Sequence, residues 1–266
     1  MATYAFSDVH GHKAPLDRLL ERVSPSDSDS IFMLGDMIDR GPDPVGVMQL
    51  CRDLPGATVL MGNHEDLMLD FFRDPRDDMA SYNWEINGSQ TTVRGLSELG
   101  DAGMTDLVEW VAQLPVCAHA RVGERAYVFA HAGIRSSSVK PRDSWDDESI
   151  EQMLGSQLVD DLIWIREEFW GRPTGLVDKD GKGPIVVAGH TPTAYLDDMA
   201  DRPDRPGVGE DGLCRVVHVG ACDQTGGVAD RWDIDCGAAG GHGFGQVGMV
   251  RLDDGAEFYE PIGKGE

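Results

Sequence analysis

Ile31-Phe32-Met33-Leu34-Gly35-Asp36-Met37-Ile38-Asp39-Arg40-Gly41 runs four apolar, β-prone residues into a glycine-bounded turn that carries two carboxylates and an arginine. An apolar run this short, stopped by a turn signal, reads as a strand buried on both faces. The pattern recurs on either side of it. Residues 3–7 lead into Asp8-Val9-His10-Gly11, and residues 57–61 into Gly62-Asn63-His64-Glu65. Further along, residues 126–130 lead into His131-Ala132-Gly133, and residues 185–188 into Gly189-His190-Thr191-Pro192.

Helical patterns lie between these runs. Leu16, Leu19, Leu20 and Val23 make one apolar face, and residues 44–54 read as a helix with Asp43 as cap and Pro44 in its first turn. Residues 101–114 read as a third helix. In residues 150–169 the apolar positions Ile150, Leu154, Leu158, Leu162 and Ile165 recur at helical spacing, as one long helix or two short ones. Residues 172–184 and 203–212, rich in Gly, Pro and Asp, read as surface loops. Alternating strands and helices predict an α/β fold around a largely buried sheet. No repeat, low-complexity tract or linker interrupts the pattern, so residues 1–266 read as a single domain.

Hydrophobic residues make up 41% of the chain and charged residues 26%, the profile of a soluble globular protein. Lys plus Arg number 23 against 47 Asp plus Glu, a formal charge of -24. Such a surface repels a phosphate backbone, which argues against a nucleic-acid binder. An anionic substrate would need a local positive site within this negative molecule. No apolar run nears the ~18–20 residues that span a bilayer, and Met1 to Phe6 show neither basic start nor apolar leader. The five cysteines lack CxxC spacing, consistent with free thiols in a reducing cytoplasm. Cys214, His218, Cys222 and Cys236 are too widely spaced for a typical structural zinc site.

The chemistry collects in the turns. Of eight histidines, His10, His64, His131 and His190 all follow apolar runs, as does Asn63, one of three asparagines. In open α/β sheets, functional groups gather at the carboxyl ends of strands. Asp8 and His10, two residues apart on an extended segment, share a face because strand side chains alternate, so a carboxylate and an imidazole can grip one cation. Asp36 has two carboxylate oxygens and can bridge two cations, while Asn63, His131 and His190 can complete a second site. Mixed oxygen and nitrogen donors suit Mn²⁺, Fe²⁺ or Zn²⁺. Each turn alone has a plainer reading as a cap or strand exit. Their joint occurrence decides the matter.

Taken in order, Asp8-x-His10-Gly11, Gly35-Asp36-x-x-Asp39-Arg40-Gly41, Gly62-Asn63-His64-Glu65, His131-Ala132-Gly133 and Gly189-His190 resemble the signature blocks of phosphoprotein-phosphatase-type metallophosphoesterases. The resemblance implies a calcineurin-like α/β fold: a central β-sandwich flanked by helices, with a dinuclear metal site at one edge. It implies that Asp8, His10 and Asp36 bind a first divalent cation and Asp36, Asn63, His131 and His190 a second, with Asp36 bridging. Mn²⁺ is the expected ion, ahead of Fe²⁺ or Zn²⁺. Arg40 and Asn63 would contact substrate phosphate, and His64, oriented by Asp39, would act as general acid. Trp164-Ile165-Arg166 resembles the segment that supplies a second phosphate-binding arginine in bacterial members, so Arg166 joins the candidates. Its alternative is an exposed helix charge paired with Glu167 or a neighbour. The implied activity is a metal-dependent phosphomonoesterase, in particular a serine/threonine protein phosphatase acting on phosphorylated protein or small phosphate esters.

Departures from the family pattern sharpen the expectation. Ser7 replaces a glycine before the first metal aspartate, tolerable unless that backbone needs positive φ. Met61 and the single glycine of His131-Ala132-Gly133 favour the bacterial type over the eukaryotic protein phosphatases. Asp233-Ile234-Asp235-Cys236-Gly237 resembles a late family strand with Cys236 where threonine is usual, which leaves its place beside the site open. His12, His119, His218 and His242 match no block and read as surface or structural, although His242 lies in a Gly-rich segment. A symmetrical dinucleoside-tetraphosphate hydrolase is the rival within the superfamily. Those enzymes usually carry Asp after Gly-Asn-His, where Glu65 stands here, and lack the Asp39-Arg40 pair. An inactive metal-binding or interaction module is the rival of another class, and intact Asp39, Arg40 and His64 speak against it.

Overall fold

The computed structural model describes residues 1–140 and 142–266. In chain order its elements are β1 (Thr3–Phe6), α1 (Lys13–Val23), β2 (Ser30–Met33), α2 (Pro44–Asp53), β3 (Ala57–Val59) and α3 (Asn63–Arg73). There follow α4 (Asp78–Ile86), α5 (Gln90–Glu98), α6 (Gly100–Val111), β4 (Cys117–Val122), β5 (Arg125–Ala130), α7 (Asp147–Leu154), α8 (Val159–Trp164) and α9 (Glu167–Trp170). The chain closes with β6 (Ile185–Ala188), β7 (Val217–Val219), β8 (Arg231–Asp233), β9 (Gln246–Arg251) and β10 (Ala256–Pro261).

The strands form two mixed sheets, in the orders β10-β9-β1-β2-β3 and β4-β5-β6-β8-β7. All five apolar runs supply parallel strands: β1, β2 and β3 in the first sheet, β5 and β6 in the second. Side-chain alternation explains why these runs are apolar throughout. In β1, Tyr4 and Phe6 pack outward under the helices while Ala5 points between the sheets. In β5, Val128 and Ala130 pack outward while Tyr127 and Phe129 point inward. Phe32 and Phe129 stack with ring centroids 4.0 Å apart in the layer between the sheets. Helices cover the outer faces of both sheets, so the expected sandwich is present.

Asp43 caps α2 by accepting from Gly46 N at 2.8 Å, with Pro44 in the first turn as expected. Elsewhere the elements differ from the sequence reading. Residues 150–169 form three helices rather than one or two, because Leu158 and Ile165 adopt extended backbone (ψ 141° and 142°) between them. The second break lies between Trp164 and Arg166, at the mouth of the site. The stretch from Asn63, read as a turn, opens α3; α4 follows, capped by Asp77, which accepts from Met79 N and Ala80 N, and then α5, which has no side-chain cap. The expected surface loop 172–184 is partly interior, with Thr174, Leu176 and Val177 buried.

A wholly buried ion pair ties this region to the second sheet. Asp230 accepts from Thr174 N and Oγ1 and pairs with Arg231 at 2.9 Å, while Arg231 donates to the carbonyls of Phe169 and Trp170. A buried charge is tolerable only when its partners are in place, and here those partners fix β8 against α9. All five cysteines are free. Cys214 and Cys236 belong to the core between the sheets, and His218 stacks on Trp232. No helix among the described residues is long and apolar enough to cross a membrane.

Candidate active site

The parallel strands end on one edge, and their turns pack against each other by main-chain hydrogen bonds. Asp8 N donates to Gly35 O, His10 N to Asp36 O and Gly11 N to Met37 O, at 2.8–3.1 Å. Contact this close requires glycine: at Gly35 (φ +97°) a Cβ would lie 2.4 Å from Gly62 N, and at Gly189 one would lie 2.1 Å from Asp8 Oδ2. Positive φ also occurs at Asp8, His10, Asp36, Asp39, Arg40 and His190, with only Ser24 and Arg202 besides among the described non-glycine residues. Such backbone is uncommon outside glycine and clusters where function demands it. Ser7 is not among these residues, which explains why the replaced glycine is tolerated.

The left-handed turns correct one expectation. Asp8 and His10 do not share a face through strand alternation, because β1 ends at Phe6 and both residues have positive φ. Turn geometry places them instead.

Asp36, 2% exposed, stands at the centre. Its Oδ2 lies 3.5 Å from His10 Nε2 and 3.9 Å from His64 Nε2, while Oδ1 lies 3.4 Å from His131 Nε2 and accepts from His64 N at 3.0 Å. One carboxylate therefore faces two sets of imidazoles. Two groups of donor atoms converge within 4.8 Å: His10, Asp36 and His64, and Asp36, His131 and His190. Asn63 Oδ1 lies 2.9 Å from His131 Nε2. Asp8 stands outside both groups; its carboxylate accepts from His190 N and from the Ser7 hydroxyl. His64 occupies the place in the first group that the resemblance gave to Asp8.

The donor set fits divalent cations. Nδ1 of His10 lies 3.0 Å from Ile38 O and Nδ1 of His131 lies 2.9 Å from Leu34 O. Donating there fixes each ring and leaves its Nε2 lone pair aimed at Asp36, as in an imidazole that binds metal through one nitrogen and is held by a carbonyl at the other. Nε2 of His190 is buried and has no hydrogen-bond partner among the described residues, an arrangement that costs about 1–3 kcal/mol unless a ligand fills it. Burial holds the imidazoles of His10 and His190 well below their ordinary pKa, and that of His131 down to about 3. Neutral imidazoles are the form that binds metal. Burial, and then the charge of Asp8, pushes Asp36 well above the carboxylate range. Burial likewise raises Asp8, with Asp235 adding to the effect. Crowded buried carboxylates of this kind call for a cation.

Beside this cluster His64 Nδ1 lies 2.6 Å from Asp39 Oδ2, and Arg40 Nη2 donates to His64 Nε2 at 3.0 Å. Arg40 and Arg166 line one cavity of about 320 Å³ with His10, Asp36, His64 and His190. Arg166 is exposed, as its alternative expected, but among the described residues it forms no ion pair within 4.0 Å with Glu167 or another acid. Trp164, Tyr195 and Phe244 form an aromatic wall of the same cavity.

Several site residues escaped the sequence reading. Glu65 is fully buried and accepts from the main-chain N of Asp36, Met37 and Gly62 at 2.8–2.9 Å, holding the central turn. Asp235 lines the cavity just beyond β8, so the late segment does border the site. A second acid two residues after Asp233 was the available signal. Trp84 and Thr92 hold Asp39 and left no local trace in the sequence. His242 is bound at Nδ1 to Ile262 O and His12 to Glu266 O, in keeping with structural roles.

The description "calcineurin-like phosphoesterase" fits a family model that matches residues 1–222. Over 137 residues the chain is 31% identical to a symmetrical bis(5'-nucleosyl)-tetraphosphatase of Dechloromonas aromatica, covering 50% of this chain and 44% of that protein. The chain thus spans about half the length of the tetraphosphatases it matches. It is 25% identical over 201 residues to serine/threonine-protein phosphatase 2 of Salmonella typhimurium, covering 75% of this chain and 84% of that one. A solved structure provisionally called a diadenosine tetraphosphatase superposes with a TM-score of 0.59 at 21% identity, over 99% of this chain and 94% of that chain, a likeness of fold.

Proposed function

The chain belongs to the calcineurin-like phosphoesterase family, and from that premise we propose that it is a metal-dependent phosphomonoesterase of the serine/threonine protein phosphatase kind. The observation that carries this reading is the two arginines, Arg40 and Arg166, which face the Asp36 cluster across one small cavity. Asp8, His10 and Asp36 would hold one divalent cation and Asp36, Asn63, His131 and His190 the other, with Mn²⁺ the ion of choice. Two such ions would supply Lewis acidity and an acidified water at neutral pH.

The chain's own residues do the rest. Planar guanidinium forks match pairs of phosphate oxygens, so Arg40 and Arg166 would grip the terminal oxygens of a dianionic ester. In the free site Arg40 donates to His64 Nε2. Phosphate oxygens would draw the guanidinium off that nitrogen and leave His64 facing the ester oxygen. The freed Nε2 would take up a proton from water, the imidazolium being stabilised at Nδ1 by Asp39, and pass that proton to the departing oxygen. The closely bonded pair speaks against an inactive binding module, which has no use for an oriented imidazole.

A second reading, hydrolysis of dinucleoside tetraphosphates, has two observations behind it. The tetraphosphatase relatives match at 31% identity, and the exposed rings of Trp164 and Tyr195 offer flat surfaces on which a base could stack. Phosphate within a polyphosphate chain has fewer free oxygens, however, and would leave one arginine unsatisfied. Both arginines are exposed, so the cost is that of the lost hydrogen bond between charged groups, about 1.5–3 kcal/mol, tenfold or more in selectivity. Phosphoserine or phosphothreonine peptides should therefore exceed diadenosine tetraphosphate in kcat/KM by at least about tenfold, measured with one Mn²⁺-loaded preparation at fixed ionic strength. A tenfold preference for the dinucleotide would transfer the assignment to the second reading.

A further inference from the structure

Asp39 is wholly buried, and among the described residues every donor that reaches its carboxylate, apart from His64, comes from helices α4 and α5. Thr92 Oγ1 donates to Oδ1 at 2.6 Å, and Trp84 Nε1 lies 3.2 Å from Oδ1 and 3.0 Å from Oδ2. The same Thr92 hydroxyl accepts from Asp39 N at 3.0 Å, so one group fixes both the side chain and the left-handed main chain of Asp39. Trp84 is 2% exposed and is held between Phe71 and Phe72, with ring centroids 5.3 and 6.2 Å away. The junction between α4 and α5 also reaches the neighbouring arginine: Gly88 O accepts from Arg40 N at 3.0 Å and Asn87 O from Arg40 Nε at 3.4 Å.

We propose that Trp84 and Thr92 are positioning residues that aim Asp39, and through it the His64 ring, at the leaving group. The proposal rests on the phosphomonoesterase reading for its kinetic consequence, though not for its contacts. The carboxylate has two oxygens and three side-chain donors, arranged so that only the Oδ2 direction toward His64 Nδ1 is left for the imidazole. Without Thr92, Oδ1 loses its shortest bond and the carboxylate can rotate about its Cβ–Cγ axis. The His64 ring would then turn with it. A purely structural role for the two residues would lower stability and spare the chemistry, whereas a positioning role must show in proton delivery.

The test compares Thr92→Val, Thr92→Ser and Trp84→Phe with His64→Asn, all Mn²⁺-loaded, on an alkyl and an aryl phosphate. A proton NMR spectrum of the same proteins loaded with diamagnetic Zn²⁺, since Mn²⁺ would broaden a proton this close to it beyond detection, follows the low-field His64 Nδ1–H resonance expected of a short bond to a buried carboxylate. Thr92→Val and Trp84→Phe should each lower kcat for the alkyl ester about tenfold, the scale of one hydrogen bond to a charged group. KM and the aryl ester should change little, and Thr92→Ser should keep wild-type values. The low-field resonance should vanish in His64→Asn and shift in Thr92→Val. Should Thr92→Val not fold, Trp84→Phe carries the same comparison. Equal losses on both esters, or an unchanged resonance with unchanged alkyl kcat, would overturn the proposal. The resonance needs no turnover, so it separates the two failures. A wild-type protein inactive on phosphate esters whose resonance still responds as expected refutes the function and keeps the positioning contacts.

Discussion

His64→Asn should lower kcat for alkyl phosphate esters by about 10²–10⁴, the usual yield of general acid catalysis, while the bound metal remains. The imidazole is 1% exposed, is bonded at Nδ1 to Asp39 and turns Nε2 toward the cavity beside Arg40. Asparagine preserves the polarity of the site but cannot hold and release a proton near neutral pH. Aryl esters leave as stabler anions and need less protonation, so their loss should be smaller. Asp39→Asn should show a weaker form of the same pattern. His64 also stands in the first donor group with His10 and Asp36, which supplies the rival outcome. If the two ester classes suffer equally and metal content falls, His64 is a ligand rather than the acid.

Asp36→Asn should lower turnover by about 10³ for alkyl and aryl esters alike, from the several kcal/mol that metal-assisted stabilisation supplies. Oδ2 faces His10 and Oδ1 faces His131, and among the described residues Asp36 alone belongs to both donor groups. An amide keeps one oxygen, loses the charge and turns an NH₂ toward lone pairs on one side. The fold should survive, because the amide oxygen can still accept from His64 N as Asp36 Oδ1 does. Metal content should drop together with activity. Full occupancy and normal turnover in Asp36→Asn would show that the bridging assignment is wrong.

Much of the fold was legible because both faces of the central strands are buried. Continuous apolar runs such as residues 31–34 are what a doubly covered strand requires, and glycine must follow where turns touch, as Gly35 does against Gly62. The candidate site was legible for the same reason, since its donor residues follow these strands. What the sequence hid is made by contacts distant along the chain. Trp84 and Thr92 reach Asp39 across 45 and 53 residues, and no local period announces such a bond. Helix α3 was read as a turn because its first residues are the polar Asn63-His64-Glu65, and its cap is Gly62 rather than Ser or Asp. The break at Ile165 and Arg166 was masked by helical spacing that continues through it; only the backbone shows that Arg166 leaves the helix to face the cavity.

The most direct test of the two-cation phosphomonoesterase is a Mn²⁺ titration of metal-stripped protein, with bound metal and turnover of a phosphomonoester followed in the same samples. Binding should saturate near about two ions per chain, with turnover absent at the start and complete only as the second ion binds. Full turnover by the metal-free protein, or saturation at one ion with full turnover, would contradict it.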